Sequence, residues 1–102
     1  MSYCVYKHTN KINGKVYIGQ SSNIKERWSR KGTCYKGCTY FYNAIQKYGW
    51  DNFEHIILKD SLSLEEANYW EEYYIKQYNS TDNNFGYNLS LGGNNKGSIA
   101  GK

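Results

Sequence analysis

Asn13-Gly14 lies between two runs rich in β-formers, Tyr3-Cys4-Val5-Tyr6-Lys7-His8 and Lys15-Val16-Tyr17-Ile18-Gly19-Gln20. An Asn-Gly pair in that setting is the strongest short-range signal for a β-hairpin. With a two-residue turn, facing residues have numbers summing to 27, so Asn10 faces Tyr17 and His8 faces Gly19. Strand side chains alternate between faces, which puts Tyr6, His8, Tyr17 and Gly19 on one side and Val5, Val16 and Ile18 on the other. A slip of one residue would separate the two tyrosines.

Helical signals follow the hairpin. Ser21-Ser22 offers an N-cap for a helix running to about Arg30, in which Arg27 lies beside the apolar pair Ile24 and Trp28 and points inward or along a cleft. Residues 32–38 read as a loop. Thr39 caps a second helix carrying Phe41, Ala44, Ile45 and Tyr48 at helical spacing, and Gly49 stops it. Phe53 to Leu58 reads as a third strand, and a third helix covers about Leu64 to Tyr78. On that helix Leu64, Ala67, Tyr74, Ile75 and Tyr78 share an arc of roughly 100°, with Glu71 in its middle. A carboxylate in an apolar stripe needs a cation, a hydrogen-bond network or the edge of a cleft, because burying it without a partner costs several kcal/mol. An ion pair with Arg27 is one solution.

The length of 102 residues allows one compact domain. Residues 1–90 read as the domain and residues 91–102 as a flexible tail rich in Gly and Asn. No apolar run approaches the roughly 20 residues that span a bilayer, and no secretory signal opens the chain. Three cysteines, Cys4, Cys34 and Cys38, are an odd number that argues for reduced thiols, and the expected location is cytoplasmic. Cys34 and Cys38 lack a second ligand pair at zinc spacing.

Charge is segregated: residues 1–50 hold nine Lys/Arg against one acid, Glu26, whereas residues 51–102 hold four Lys against eight acids. A basic half interleaved with some of the twelve tyrosines suits a nucleic-acid backbone, and equally a merely solvated surface. Large aromatic side chains also fill a limited core efficiently, so composition alone leaves the tyrosines open.

The order of motifs narrows this choice. Cys4-Val5-Tyr6, then Tyr17-Ile18-Gly19 ten residues further on, then Ser22 to Trp28, Ala44 to Gly49, Glu71 and Gly86-Tyr87-Asn88 together resemble the GIY-YIG nuclease family, closest to phage-type homing endonucleases. Cys4 stands where the family has glycine, and Lys31 where many relatives have histidine. The resemblance implies an α/β (α+β) fold, a small three-stranded antiparallel sheet flanked by helices. It also implies a DNA endonuclease that hydrolyses phosphodiesters with one divalent ion, Mg²⁺ or Mn²⁺. Glu71 would then be the metal ligand, Arg27 the contact to the scissile phosphate, and Tyr6 and Tyr17 the hydrogen-bonding partners of water or phosphate, with Tyr6 the favoured general base. His8, Gly19, Lys31 and Asn88 would line the substrate. DNA is the expected partner and a monomer the favoured state. The alternatives are a non-catalytic DNA-binding module of the same fold and a restriction or repair-type nuclease.

Overall fold

The computed structural model describes residues 2–29, 35 and 38–89. Strands β1 (Tyr3–Asn10), β2 (Val16–Ser21) and β3 (Phe53–Leu62) form one antiparallel sheet in the order β2-β1-β3. Helices α1 (Ile24–Trp28), α2 (Thr39–Tyr48) and α3 (Leu64–Tyr78) accompany it, with a 3₁₀ turn at Trp50–Asn52. This is the expected fold class. No described helix is long and apolar enough to cross a membrane. Lys31, Cys34 and the tail from residue 91 lie outside the described residues.

The hairpin forms, with a different register. Tyr6 faces Gly19 and His8 faces Tyr17, so facing numbers sum to 25. The connection is the four-residue loop Lys11–Gly14, closed by Gly14 N–H donating to the Asn10 carbonyl and Asn10 N–H donating to the Lys15 carbonyl. Gly14 supplies the left-handed φ of +79° that this loop requires. Because the register moves by two residues, side-chain parity is preserved and both tyrosines stay on one face.

Each face has its own core. Cys4, Tyr6, Tyr35, Phe41, Ala44, Ile45, Phe53 and Tyr87 pack on one side, and Val5, Ile18, Ala67 and Ile75 on the other, against α3. Ser63 starts α3 with a capping box: its hydroxyl accepts from Glu66 N–H, and the Glu66 carboxylate accepts from Ser63 N–H. Ala67, Glu71 and Ile75 are the buried positions of α3, whereas Leu64, at 39% exposure, and Tyr78 leave the predicted stripe at the helix ends.

Other boundaries shift for local reasons. Asn23, not Ser21 or Ser22, caps α1, which closes at Trp28. Cys38 rather than Thr39 occupies the N-cap of α2, and β3 runs on to Leu62. Tyr35, predicted to lie in a loop, is fully buried. The segment after α3 returns to β2: Tyr87 N–H donates to the Val16 carbonyl, Val16 N–H donates to the Phe85 carbonyl, and Gly86 passes so close to Ser80 that a Cβ would meet its backbone at 2.5 Å.

Candidate active site

Four elements bring the site together. β1 supplies Tyr6, and β2 supplies Tyr17 and Gly19 on the same face and Gln20 on the opposite one. α1, which follows β2 directly, supplies Arg27, and α3 supplies Glu71.

Tyr6 is 1% exposed, and its hydroxyl lies over Gly19, where an added Cβ would sit 2.5 Å from the phenol oxygen. Gly19 is therefore required for space, because only glycine admits the Tyr6 phenol there. Burial pushes the Tyr6 hydroxyl above its ordinary pKa, while the Arg27 guanidinium and the neighbouring Tyr35 hydroxyl pull it back. Tyr17 stacks on Phe41 with ring centroids 4.4 Å apart and shares a hydrogen bond of 3.2 Å with Cys38 Sγ. Burial likewise raises its pKa, with Tyr6 and Cys38 adding to the effect. A Gly19→Ala substitution is expected to displace the Tyr6 ring, destabilise the fold by about 1–3 kcal/mol and lower any activity that depends on Tyr6. Urea unfolding beside a cleavage assay measures both effects.

Arg27 is partly buried, with its guanidinium carbon 5.4 Å from the centre of the Tyr35 ring. Lost solvation works against its charge, yet the oxygens of Tyr6, Tyr35 and Tyr17 and the Cys38 sulfur outweigh that and raise its pKa. It is a fixed cation among phenols. A recess of about 340 Å³ lined by Ser21, Ser22, Asn23, Glu26 and Arg27 opens beside it.

Glu71 is 8% exposed. Gln20 Nε2 donates to Glu71 Oε1 at 2.9 Å and to Asn68 Oδ1 at 2.6 Å, which uses both amide hydrogens. The remaining Gln20 oxygen, Oε1, is buried with no hydrogen-bond partner among the described residues. The carboxylate reaches in from the α3 side of the sheet and the phenols lie on the other side, yet its charge acts on both Tyr6 and Tyr17. No group of three or more His, Cys, Asp or Glu able to hold a metal occurs among the described residues. One carboxylate beside an unsatisfied amide oxygen nonetheless fits a hard cation that completes its shell with water and phosphate oxygens.

His8 and Asn88, predicted to line the substrate, are both buried with their polar atoms committed inside the protein. Asn88 Oδ1 accepts from Ile18 N–H and from the Ser80 hydroxyl, and Asn88 Nδ2 donates to the Ile18 carbonyl. It pairs with β2 as another strand's peptide group would, holding the strand that carries Tyr17, Gly19 and Gln20. Sequence reasoning missed Gln20 and Tyr35. The alternation that puts Val16 and Ile18 on one face also puts Gln20 there and could have found it, whereas no periodic signal marks Tyr35.

The pKa of His8 lies far below the ordinary histidine value, because of burial first and then the charges of His55 and Arg27, and His55 is lowered as well, mainly by burial. The folded protein keeps both rings neutral where the unfolded chain would protonate them, so their contribution is complete above a pH of about 6.5 and is lost as pH falls. Unfolding at pH 5 is expected to show stability about 2 kcal/mol below that at pH 7 from His8 alone. Urea titrations at the two pH values check this, and a His8→Phe variant should lose most of the slope.

The family model described as GIY-YIG catalytic domain matches residues 2–88. Two proteins of Enterobacteria phage T4 named as putative endonucleases, segE and segB, are 37% identical over 95 residues and 36% identical over 100 residues. Each match takes in 91% of this chain but only 43% and 40% of those relatives, so the chain spans less than half their length. Among solved structures, the catalytic domain of the homing endonuclease I-TevI superposes with a TM-score of 0.70 at 25% identity, covering 86% of this chain and 98% of that one. A mutant of the same intron endonuclease domain gives a TM-score of 0.63 at 29% identity, covering 90% of this chain and 97% of that one.

Proposed function

Since the chain belongs to the GIY-YIG nuclease family and has the fold of a homing-endonuclease catalytic domain, we propose that it is a DNA endonuclease that hydrolyses phosphodiester bonds with one divalent ion, Mg²⁺ or Mn²⁺. The observation that carries this reading is the buried Glu71 carboxylate, held by Gln20 on β2, the strand that also carries Tyr17.

Phosphodiester hydrolysis needs an oriented water, positive charge where the phosphoryl oxygens gain negative charge, and a Lewis acid. Glu71, with the free oxygen of Gln20 beside it, would hold the ion, which when bound polarises the phosphate. Arg27 offsets charge developing on the phosphoryl oxygens, and its enclosure by phenols holds it in place before substrate arrives. Tyr17 and Tyr6 orient water and phosphate, and Tyr6, once it has given up its own phenolic proton, takes the water's proton as the phenolate. Lys31 adds a phosphate contact. The basic first half of the chain attracts the DNA backbone, an effect that weakens with added salt. His8 and Asn88 support the site from within, Asn88 by fixing β2. The domain acts as a monomer.

Supercoiled plasmid tests the reading directly. Nicking is expected with Mg²⁺ or Mn²⁺, abolished by EDTA and restored when the ion is returned. A plasmid retarded in the gel but never cut would overturn it in favour of a non-catalytic DNA-binding module.

A further inference from the structure

A cavity of about 300 Å³ lies between the hairpin loop, α2 and the segment that follows α3, and none of the groups placed at the site lines it. Tyr40, Asn43, Ala44, Lys47 and Tyr48 recur at helical spacing and form the α2 wall, with the small, buried Ala44 leaving the space. Lys15 comes from the hairpin, and Asn83 and Tyr87 stand on the other side. Asn10 Nδ2 at 3.0 Å and Asn13 Nδ2 at 3.4 Å both donate to the Tyr87 hydroxyl, and Asn13 Oδ1 accepts from Lys15 N–H. The far wall is thereby tied to the hairpin.

The chemistry of this lining is one-sided, with cations, amides and phenols but no acid. Lys15 Nζ lies 6.0 Å from the centre of the Tyr87 ring and Lys47 Nζ 5.2 Å from that of Tyr48. Neither lysine is ion-paired among the described residues. A ring beside an ammonium attracts it without neutralising its charge, so both cations stay available to an anion. Lysine, asparagine and tyrosine side chains are also the ones that contact phosphate and sugar in protein–DNA complexes. Position ties the cavity to the site. Lys15 has the parity of Tyr17 and Gly19, and α2 packs on that same face, where Phe41 stacks on Tyr17. Gly19, beneath the Tyr6 hydroxyl, stands four residues beyond Lys15. At about 3.3 Å per residue that is about 13 Å along β2, a distance DNA covers in about four base-pair steps of about 3.4 Å.

We infer that this cavity is a clamp for the backbone of the DNA that flanks the bond to be cut, holding a phosphate between Lys15 and Lys47 with the adjoining sugar against the phenols of α2. The choice of DNA as the occupant rests on the function proposed above. A duplex lying over Arg27 and the phenols reaches the cavity with a neighbouring stretch of its own strand. Contacts of this kind set where the duplex lies and carry no reading of sequence. No bond is made or broken there.

The test is fluorescence anisotropy of a labelled DNA duplex with the full chain, in EDTA to prevent cutting, across a series of salt concentrations. The double variant Lys15→Gln/Lys47→Gln is expected to bind about tenfold more weakly and to flatten the slope of log affinity against log salt by about one, the loss of one phosphate contact. Asn43→Asp, a nearly isosteric change at an exposed position of α2, brings a carboxylate to the cavity and should also weaken binding while melting near wild type. The control Lys59→Gln/Lys76→Gln removes the same charge from β3 and α3 and should bind almost as wild type does. Wild-type affinity and slope in the cavity variant overturn the clamp, as does an equal loss in the control, because net charge then accounts for the effect. Free thymidine monophosphate bound as tightly as duplex, and lost in the cavity variant, would make this a free-nucleotide site and overturn the clamp too. If the cavity variant binds normally while wild type nicks plasmid with Mg²⁺, only the clamp falls. If wild type binds duplex through these lysines yet never nicks, the clamp stands as a DNA contact and the nuclease reading falls; if wild type binds no DNA, both fall.

Discussion

Arg27→Ala is expected to reduce plasmid nicking by about 10²- to 10³-fold, the usual effect of removing one fixed stabiliser of transition-state charge. Its fold should survive, because α1 buries none of its residues and the substitution removes only a partly exposed guanidinium from over the Tyr35 ring, an interaction worth about 0.5–1 kcal/mol. Activity and stability should therefore separate. Arg27→Lys should restore little, since a lysine ammonium lacks the planar fork that meets two phosphoryl oxygens at once. Single-turnover rates beside melting curves measure both quantities, and near-normal turnover in the alanine variant would remove Arg27 from the mechanism.

Glu71→Ala should be at least as severe for activity. In the proposed mechanism Glu71 would hold the ion, and losing it would remove several kcal/mol of transition-state stabilisation, or roughly 10²- to 10⁴-fold in rate. Gln20 Nε2 keeps its bond to Asn68 but loses its acceptor on Glu71, and removing one partner of a buried hydrogen bond costs stability. The isosteric Glu71→Gln leaves no cavity and keeps an oxygen to accept from Gln20 Nε2, so it should melt close to wild type while cutting as poorly as the alanine variant. Raising Mg²⁺ should not rescue either one. Rates measured across Mg²⁺ concentrations, together with thermal melts, decide the matter: partial rescue by excess ion would place Glu71 beside the metal rather than on it.

These two residues also mark how much the sequence made legible. α3 was legible in part: Ala67, Glu71 and Ile75 recur on one face and are buried, whereas Leu64 and Tyr78, placed on the same face, end up exposed. The placement of Glu71 inside that face followed from periodicity alone. The hairpin faces were legible for a related reason. A loop of four residues instead of a two-residue turn moved the register by two, and an even shift leaves Tyr6, Tyr17 and Gly19 on the same side.

Other features depended on contacts between residues far apart in the chain. Tyr35 stands in a stretch with no period, yet it is buried against Phe41 and bonded to His8, 27 positions away. Asn88 has the sequence setting of a loop asparagine, while its amide closes onto Ile18, 70 positions earlier. His8, expected on an open face, is covered by Phe41 from α2 and by Trp28 from α1.

By itself, then, the sequence determined the elements, the face on which each side chain lies and the carboxylate within an apolar stripe, because periodicity and caps are properties of neighbouring residues. Only the tertiary structure decided which buried polar atoms meet: Gln20 with Glu71, Asn88 with Ile18, and His8 with both His55 and Tyr35. Such pairings arise when separate elements close on one another, and each buried donor or acceptor must then find its partner in whatever packs against it.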